Sequence, residues 1–237
     1  MENLYAFSET GMDGWGCSVI DDSLNKIELG EICGNILGKP VLSLTYAFGG
    51  CVEGEYGLTF EAMKNLKTAP AIPFGVKNMD WAFDNCTNLT HAPVIPSSVT
   101  GLICTFRECT SLVYVPEIQF GVTNMFGTFS GCTSLKNAPV IPSSVTEMYN
   151  TFSGCTSLEN VPAIPASVED MSFTFSSCTN LAGELYIKSA SVNNFSNCFY
   201  DLTQALTVKV PENSTTYSTI TTADLGSDTI IIETFVP

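Results

Sequence analysis

Cysteine is the residue in this sequence whose type and spacing most directly suggest chemistry. The chain of 237 residues contains ten cysteines, and five of them recur every 23 residues: Cys86, Cys109, Cys132, Cys155 and Cys178. A zinc site needs closely paired cysteines, as in Cys-x-x-Cys, and this interval does not provide them. A buried free cysteine packs as a small hydrophobic residue. The spacing therefore predicts a row of reduced core cysteines, with no metal and no cofactor.

Catalytic groups are sparse in the rest of the chain. His91 is the single histidine, so a metal cluster based on histidine cannot form. Any Ser-His-Asp arrangement would have to use His91. The glycines of Gly49-Gly50 and of the Ser-Gly-Cys segments are typical of turns and do not form a phosphate-binding loop. Paired carboxylates at a recurring spacing are absent as well. We therefore expect a protein that is not an enzyme.

The 23-residue interval belongs to a repeat in which apolar residues keep a fixed phase. A Phe lies three residues before each repeated cysteine and a Leu three residues after it, from Phe60 to Leu181, with Met63 in the first cysteine position. Counting from the cysteine, the seventh residue is Pro, the ninth Ile, the thirteenth Val and the sixteenth Met or Leu. One such unit cannot bury all these side chains alone, so units must stack. The pattern predicts a solenoid whose core consists of ladders of Phe, Cys, Leu, Ile, Val and Met.

The residue types also predict the local structure of one coil. The Ala-Pro-x-Ile-Pro stretch is interpreted as a parallel strand of about three residues, because proline donates no hydrogen bond to a neighbouring strand. The Ser-Ser-Val-Thr segment predicts a turn that leads into a second short extended piece. The Thr-Phe-Ser-Gly-Cys segment predicts a turn or a short 3₁₀ coil on the opposite face.

The two ends of the chain depart from the repeat. Residues 1–45 are interpreted as an N-terminal cap or docking segment, residues 46–205 as the solenoid and residues 206–237 as a β-rich C-terminal cap. A degenerate copy is expected at 46–51. The next Phe-x-x-Cys after Cys178 is Phe195 with Cys198, which predicts a last repeat shortened to 20 residues.

The repeated motif resembles a known family. Phe-x-x-Cys-Thr-Ser-Leu followed by Pro-x-Ile-Pro and Ser-Val-Thr is similar to the BspA-like leucine-rich repeats of surface proteins from gut and oral bacteria, over residues 46–211. The resemblance implies a leucine-rich-repeat solenoid, α/β by classification but built mostly of short parallel β segments and turns. It also implies adhesion or ligand binding, at the cell surface or in a phage particle.

Charge excludes two classes of partner. The formal net charge is −15, with 24 acidic residues against nine Lys and Arg. Nucleic-acid binding needs clustered basic residues, and an anionic membrane surface would repel this chain. The N-terminal segment has an acidic second residue and no long apolar run, so we expect neither a signal peptide nor a membrane anchor.

Two variable positions of the repeat are candidates for a binding face. They lie five and eight residues after the cysteine and flank the predicted short strand, so they would form two exposed rows on the sheet side. Aromatic and polar anchors are typical of interfaces. We therefore predict a ligand face that contains His91, Tyr114, Glu117 and Asn137.

Two functions fit these features. The first is a non-enzymatic repeat scaffold that binds a protein or a glycan on a cell surface, that is, an adhesion module. The alternative is a structural component of a larger assembly, such as a decoration, tail or fibre protein of a virion, that binds neighbouring subunits. The expected lack of an export signal favours the alternative, and the family resemblance favours the first.

Overall fold

A computed structural model of the chain describes residues 66–236 and, as backbone, four strands closer to the N-terminus. These strands are β1 (Tyr5–Glu9), β2 (Trp15–Val19), β3 (Asn35–Ile36) and β4 (Lys39–Ser43). They form one sheet in the order β1-β2-β4-β3, in which β2 and β4 are parallel and the other two pairs are antiparallel. The capping contact predicted for the N-terminal segment, the degenerate copy at 46–51, Phe60 and Met63 lie outside the described residues.

Residues 66–201 form six successive coils, which we number from the N-terminus. The first comprises residues 66–85, the second 86–108, the third 109–131, the fourth 132–154, the fifth 155–177 and the sixth 178–201. Two rows of isolated parallel β-bridges join neighbouring coils. The first row lies five residues after the cysteine and pairs Thr68 with His91, His91 with Tyr114, and Asn137 with Asn160. The second row contains Asn78, Gly101, Asn124, Glu147, Asp170 and Asn194.

The first row differs from the predicted strand. We expected a strand of about three residues over Ala-Pro-x-Ile-Pro, but in these coils pairing is limited to isolated bridges, beginning at the residue before that stretch. The N–H of Ala92 donates to the carbonyl of Tyr114 at 3.0 Å, and the next residue, Pro93, has no N–H to continue the pairing. The predicted Ser-Ser turn is present. The bridges of the second row follow it and correspond to the predicted second extended piece.

The predicted core ladders are confirmed in the described coils. Every repeated Phe, Cys, Val and Met from the first to the fifth coil is fully buried, and the Ile and Leu of these ladders are at most 9 % exposed, apart from the partly buried Leu66. The Phe rings stack on one another along the solenoid with centroids 5.4–5.9 Å apart. Each apolar ladder residue thus packs against the residue at the equivalent position of the next coil.

The face opposite the bridges is held by an alternating pattern of backbone hydrogen bonds. The N–H groups of Phe83 and Asn85 donate to carbonyls of the second coil, those of Thr105 and Arg107, at 2.9 and 2.6 Å. The N–H of Asp84, which lies between them, donates to a carbonyl three residues earlier in its own coil. This face is therefore a run of turns, as predicted, and it also pairs coil with coil.

This alternation requires two residues per coil with a left-handed backbone. Glycine adopts that conformation at little cost, whereas other residues are strained in it. Both Gly127 and Gly154 occupy such positions, but bulky residues occupy others, among them Trp81 with φ 60° and Phe173 with φ 55°. The backbone pairing between coils therefore determines the conformation even where the side chain disfavours it.

The register after Cys178 corrects our prediction for the last repeat. The ring of Phe175 stacks on Phe199, with centroids 5.9 Å apart, and not on Phe195. The sixth coil has one extra residue between Ile187 and Val192, because Ile187 follows Ile164 by 23 residues and Val192 follows Val168 by 24. The repeat is therefore lengthened rather than shortened. Phe195 takes the Met position of the ladder, Cys198 the Thr position, Phe199 the Phe position and Leu202 the Cys position.

In the C-terminal part, a continuous three-stranded parallel sheet replaces the isolated bridges. It contains β5 (Gly183–Tyr186), β6 (Leu206–Pro211) and β7 (Ile230–Phe235), in the order β5-β6-β7. The helix α1 (Thr215–Thr222) connects β6 to β7, and its N-cap Ser214 accepts a hydrogen bond from the N–H of Tyr217. The tail is β-rich as predicted, while the domain boundaries at residues 45 and 205 stay predictions.

The repeated cysteines lie inside the core as free thiols. In the third to the sixth coil, the Sγ of each repeated cysteine donates to the carbonyl of the ladder Phe 26 residues earlier, as in Cys109 to Phe83 at 3.1 Å. Burial raises the pKa of all five repeated thiols well above the ordinary value. Both effects keep the thiols protonated and unreactive.

Thiol titration should therefore give two different counts. Without reductant, the unfolded protein is expected to give close to ten free thiols, and the seven buried ones in residues 66–236 should react with a thiol reagent only after unfolding. The measurement is reagent uptake before and after adding denaturant. A count near zero in the unfolded protein would show that the cysteines are oxidised and that the packing account is wrong.

Candidate functional site

The structure brings His91 and Tyr114 together on the sheet side. They are bridge partners in the first row, both are exposed, and their ring centroids are 5.9 Å apart. The His91 Nδ1 atom also lies 3.0 Å from the hydroxyl of Thr90, which hydrogen-bonds to the first coil through Lys67. The result is an exposed pair of rings held by adjoining backbone bridges.

Asn137 occupies the equivalent position in the fourth coil, where it pairs with Asn160. It is exposed, and its Oδ1 accepts a hydrogen bond from the Nδ2 of Asn160 at 2.9 Å. Beside this amide pair, Lys136 and Glu159 form an exposed ion pair at 3.4 Å. The first row therefore changes along the solenoid from aromatic to amide side chains, with exposed hydrogen-bonding groups throughout.

Glu117 lies in the second predicted row, eight residues after the cysteine. It is exposed there between two apolar neighbours, Val94 at 74 % and Val140 at 61 % exposure. Ala163, the next member, is half-buried. The structure thus places all four predicted residues on the surface and on the same side, with His91 in direct contact with Tyr114.

Exposed apolar side chains are concentrated around these rows. Within residues 66–236, twelve large hydrophobic residues are exposed, and six of them lie between positions four and eleven of the first four coils. Those six are Phe74, Val94, Val113, Tyr114, Phe120 and Val140. Isolated exposed apolar residues are normal, but a group on one face is typical of a contact surface.

Sequence reasoning missed two members of this group, Phe74 and Phe120. They are 81 % and 73 % exposed and each precedes a glycine in a left-handed conformation, Gly75 and Gly121. A signal was present in the repeat: the first and third coils have Phe-Gly where the second and fourth have Ser-Ser. The repeat pattern predicts a turn at this position but does not predict the exposed ring.

On the opposite face of the described coils, Arg107, Asp84 and Trp81 form an electrostatic cluster. The guanidinium of Arg107 donates two hydrogen bonds to the carboxylate of Asp84, at 2.8 and 3.0 Å, and lies over the ring of Trp81 at 4.7 Å. Burial raises the pKa of the Asp84 carboxyl, and the bonds from Arg107 offset part of this effect. Because donor and acceptor already satisfy each other, we interpret this cluster as structural.

Other kinds of site have little support in the described part of the chain. No group of three or more His, Cys, Asp or Glu residues there could hold a metal ion. No helix within residues 66–236 has the length and apolar character needed to cross a membrane. A wide, open depression of about 620 Å³ lies at the C-terminal cap, lined by Leu202 and residues 223–229. None of the four predicted residues lines it.

Comparison with known proteins agrees with this architecture. The model of the BspA type leucine rich repeat region matches six copies, over residues 58–148 and 123–226. Among solved structures, the leucine rich repeat protein TpLRR of T. pallidum is 22 % identical, covers 100 % of this chain and 99 % of its own, and has a TM-score of 0.68. A leucine-rich repeat protein from Bacteroides ovatus is 17 % identical over 89 % of this chain and 70 % of its own, with a TM-score of 0.40.

A search of curated proteins found no match. The family model nevertheless covers well over half of the sequence, and its repeats coincide with the coils described above. The likeness to TpLRR extends over the whole chain and supports the same fold. The chain therefore belongs to the BspA-type leucine-rich repeat proteins.

Proposed function

We propose that the protein is a non-enzymatic binding module whose sheet side recognises a protein or glycan on a cell surface. The observation that carries this proposal is the exposed contact between His91 and Tyr114, surrounded by exposed apolar side chains of neighbouring coils. Leucine-rich repeats are scaffolds, and function in such folds depends on the side chains displayed on them.

The scaffold favours binding because it fixes these side chains before a ligand arrives. Backbone bridges on either side of His91 connect it to Thr68 and to Tyr114, so the backbone beneath the two rings is already ordered. Ordering a flexible interface costs free energy on binding, and a preformed surface avoids part of that cost. An aromatic ring with a polar edge supplies apolar contact and hydrogen bonding at one place.

Removing this group of side chains should weaken binding strongly without affecting the fold. We expect the variant His91→Ala, Tyr114→Ala, Glu117→Ala to fold normally, because all three side chains are exposed and outside the core ladders. Its affinity should fall about tenfold or more, the effect of losing an interface anchor. The measurement is binding of the fluorescently labelled protein to cultured epithelial cells, with thermal unfolding as the check on folding.

Two controls make this result specific. The variant Tyr200→Ala, Tyr217→Ala removes exposed aromatic side chains elsewhere and should bind as the native protein does. Treating the cells with protease or with glycosidases distinguishes a protein ligand from a glycan. Binding that is unchanged in the triple variant but abolished by removing residues 1–40 would contradict the sheet-side proposal. It would favour the second candidate function, a component of a larger assembly that docks through its N-terminal segment.

A further inference from the structure

The exposed phenylalanines of the first and third coils lie at turns that are fixed by the next coil. The N–H of Gly75 donates to the hydroxyl of Ser98 at 3.0 Å, and that hydroxyl donates to the carbonyl of Val76 at 2.8 Å. The third coil repeats the arrangement, with Ser144 contacting Gly121 at 3.0 Å and Val122 at 2.6 Å. The hydroxyls of Ser98 and Ser144 thus hydrogen-bond to the turn of the preceding coil. The Phe before each glycine is therefore attached to an ordered backbone although its side chain is exposed.

These turns form a strip in which large and small residues alternate. We call it the turn strip; it comprises residues 73–75, 96–98, 119–121 and 142–144. Its outermost position is Phe74 in the first coil, Ser97 in the second, Phe120 in the third and Ser143 in the fourth, and all four are exposed. At about 4.8 Å per coil, the two phenylalanines lie about 10 Å apart with a serine between them.

The turn strip also differs in charge from the rest of the protein. None of its twelve residues is charged, whereas the chain as a whole has a net charge of −15. Depletion of charge is typical of the core of an interface. Two copies of such an acidic chain would repel each other, and contact through an uncharged strip keeps that repulsion small.

From this alternation we infer that the turn strip binds a second copy of the chain. If two strips meet antiparallel about a two-fold axis between the second and third coils, the first coil faces the partner's fourth and the second faces the partner's third. Each Phe then lies opposite a Ser: Phe74 opposite Ser143, and Phe120 opposite Ser97. A parallel alignment in the same register would place Phe against Phe. The strip is therefore self-complementary in one orientation, as a two-fold interface requires.

The first test is the mass of the protein in solution. By sedimentation at about 5 to 200 µM, the average mass should rise from that of one chain toward that of two, because a strip this short supports only a weak interface. Dimerisation should be stronger at about 0.5 M than at about 0.1 M NaCl, since salt screens the repulsion between the two acidic chains. The variant Phe74→Ser, Phe120→Ser should stay monomeric, while Tyr200→Ser, Tyr217→Ser should dimerise as the native protein does.

The second test examines the register. Phe120→Ser alone removes the side chain opposite Ser97, and Ser97→Phe alone places Phe against Phe, so each single variant should dimerise more weakly. The double variant Ser97→Phe, Phe120→Ser exchanges the large and small residues and should recover the dimer. This recovery is specific to the proposed pairing and would not follow from a general change in surface hydrophobicity.

Three results would overturn the inference. They are a native protein that remains monomeric throughout the concentration range, a dimer that persists in Phe74→Ser, Phe120→Ser, and an exchange variant that does not recover. Hydrogen exchange of the native protein provides a measurement independent of the variants. Amides of the turn strip should exchange more slowly at about 200 µM than at about 5 µM, and equal rates would likewise contradict the dimer.

Discussion

Replacing Phe129 by alanine is expected to lower the free energy of unfolding by about 3–5 kcal/mol, the usual cost of removing a buried aromatic ring. The ring is fully buried and stacks between Phe106 and Phe152, with centroids 5.8 and 5.5 Å away. Alanine would leave a cavity between coils that contact no other layer of core. Stability in a solenoid is a sum of coil and interface terms, so damage in the middle should also divide the unfolding transition into two.

Phe120→Ala is the matched control for this experiment. It removes the same side chain nine residues earlier, where the ring is 73 % exposed, and should change stability by no more than about 0.5 kcal/mol. The measurement is denaturant unfolding of both variants at a low protein concentration, monitored by circular dichroism. If Phe129→Ala lowered the free energy of unfolding by no more than Phe120→Ala does, the inward orientation of the Phe ladder would be wrong.

Raising the pH above about 9 is expected to unfold the protein cooperatively. Seven buried thiols have raised pKa values, chiefly because burial disfavours the thiolate; that of Cys104 is raised to about 11 and the other six are raised further. Below pH 9 both the folded and the unfolded chain keep these protons, so stability does not depend on them. Above pH 9 the unfolded chain releases them while the folded chain does not, and the free energy of unfolding falls as pH rises.

The size of this effect follows from the number of thiols. Each contributes up to about 1.4 kcal/mol per pH unit, so seven contribute up to about 10 kcal/mol per pH unit, comparable with the whole stability of a domain. Unfolding should therefore be complete within one or two units above pH 9 in reducing buffer, as followed by circular dichroism. The variant Cys109→Ala, Cys132→Ala, Cys155→Ala should lower the slope by about 4 kcal/mol per pH unit. Stability that does not change up to pH 11 would contradict the burial of these thiols.

The sequence was sufficient to predict the core because each ladder position recurs with the same residue type. Phe, Cys and Val at their repeated positions are all buried, as the phase indicates. The extent of strand pairing was harder to predict. Proline at position seven of each of the first five coils limits pairing to isolated bridges, whereas Leu185 replaces this proline in the sixth coil, where the strand β5 forms.

The error in the last repeat arose from giving residue identity more weight than spacing. Phe195 and Cys198 reproduce the Phe-x-x-Cys motif, but that register would require a coil three residues shorter than the others. Phe199 and Leu202 keep the same relation with a coil that is only one residue longer, and the structure uses this alternative. Burying a leucine in a cysteine position costs little packing, whereas removing three residues would interrupt the pairing between coils.

Side-chain exposure in the candidate site could be predicted, but the turn conformations could not. Placing His91, Tyr114, Glu117 and Asn137 on the surface required only the repeat phase. The left-handed residues carry no common sequence signal, since Trp81 and Asn150 occupy the same position as Gly127. Their conformation is set by hydrogen bonds to the next coil, which involve residues about 22 positions away in the sequence.

The alternating hydrogen bonds of the turn face also bear on how such a chain lengthens during evolution. Each coil donates N–H groups to the coil after it and offers carbonyls to the coil before it, in the same register throughout the second, third and fourth coils. A tandem duplication of 69 nucleotides, encoding 23 residues, would thus create a new coil already complementary to both neighbours. Gene length could then change in whole coils while the two ends of the solenoid stay the same, and selection could act separately on the exposed residues of each added coil.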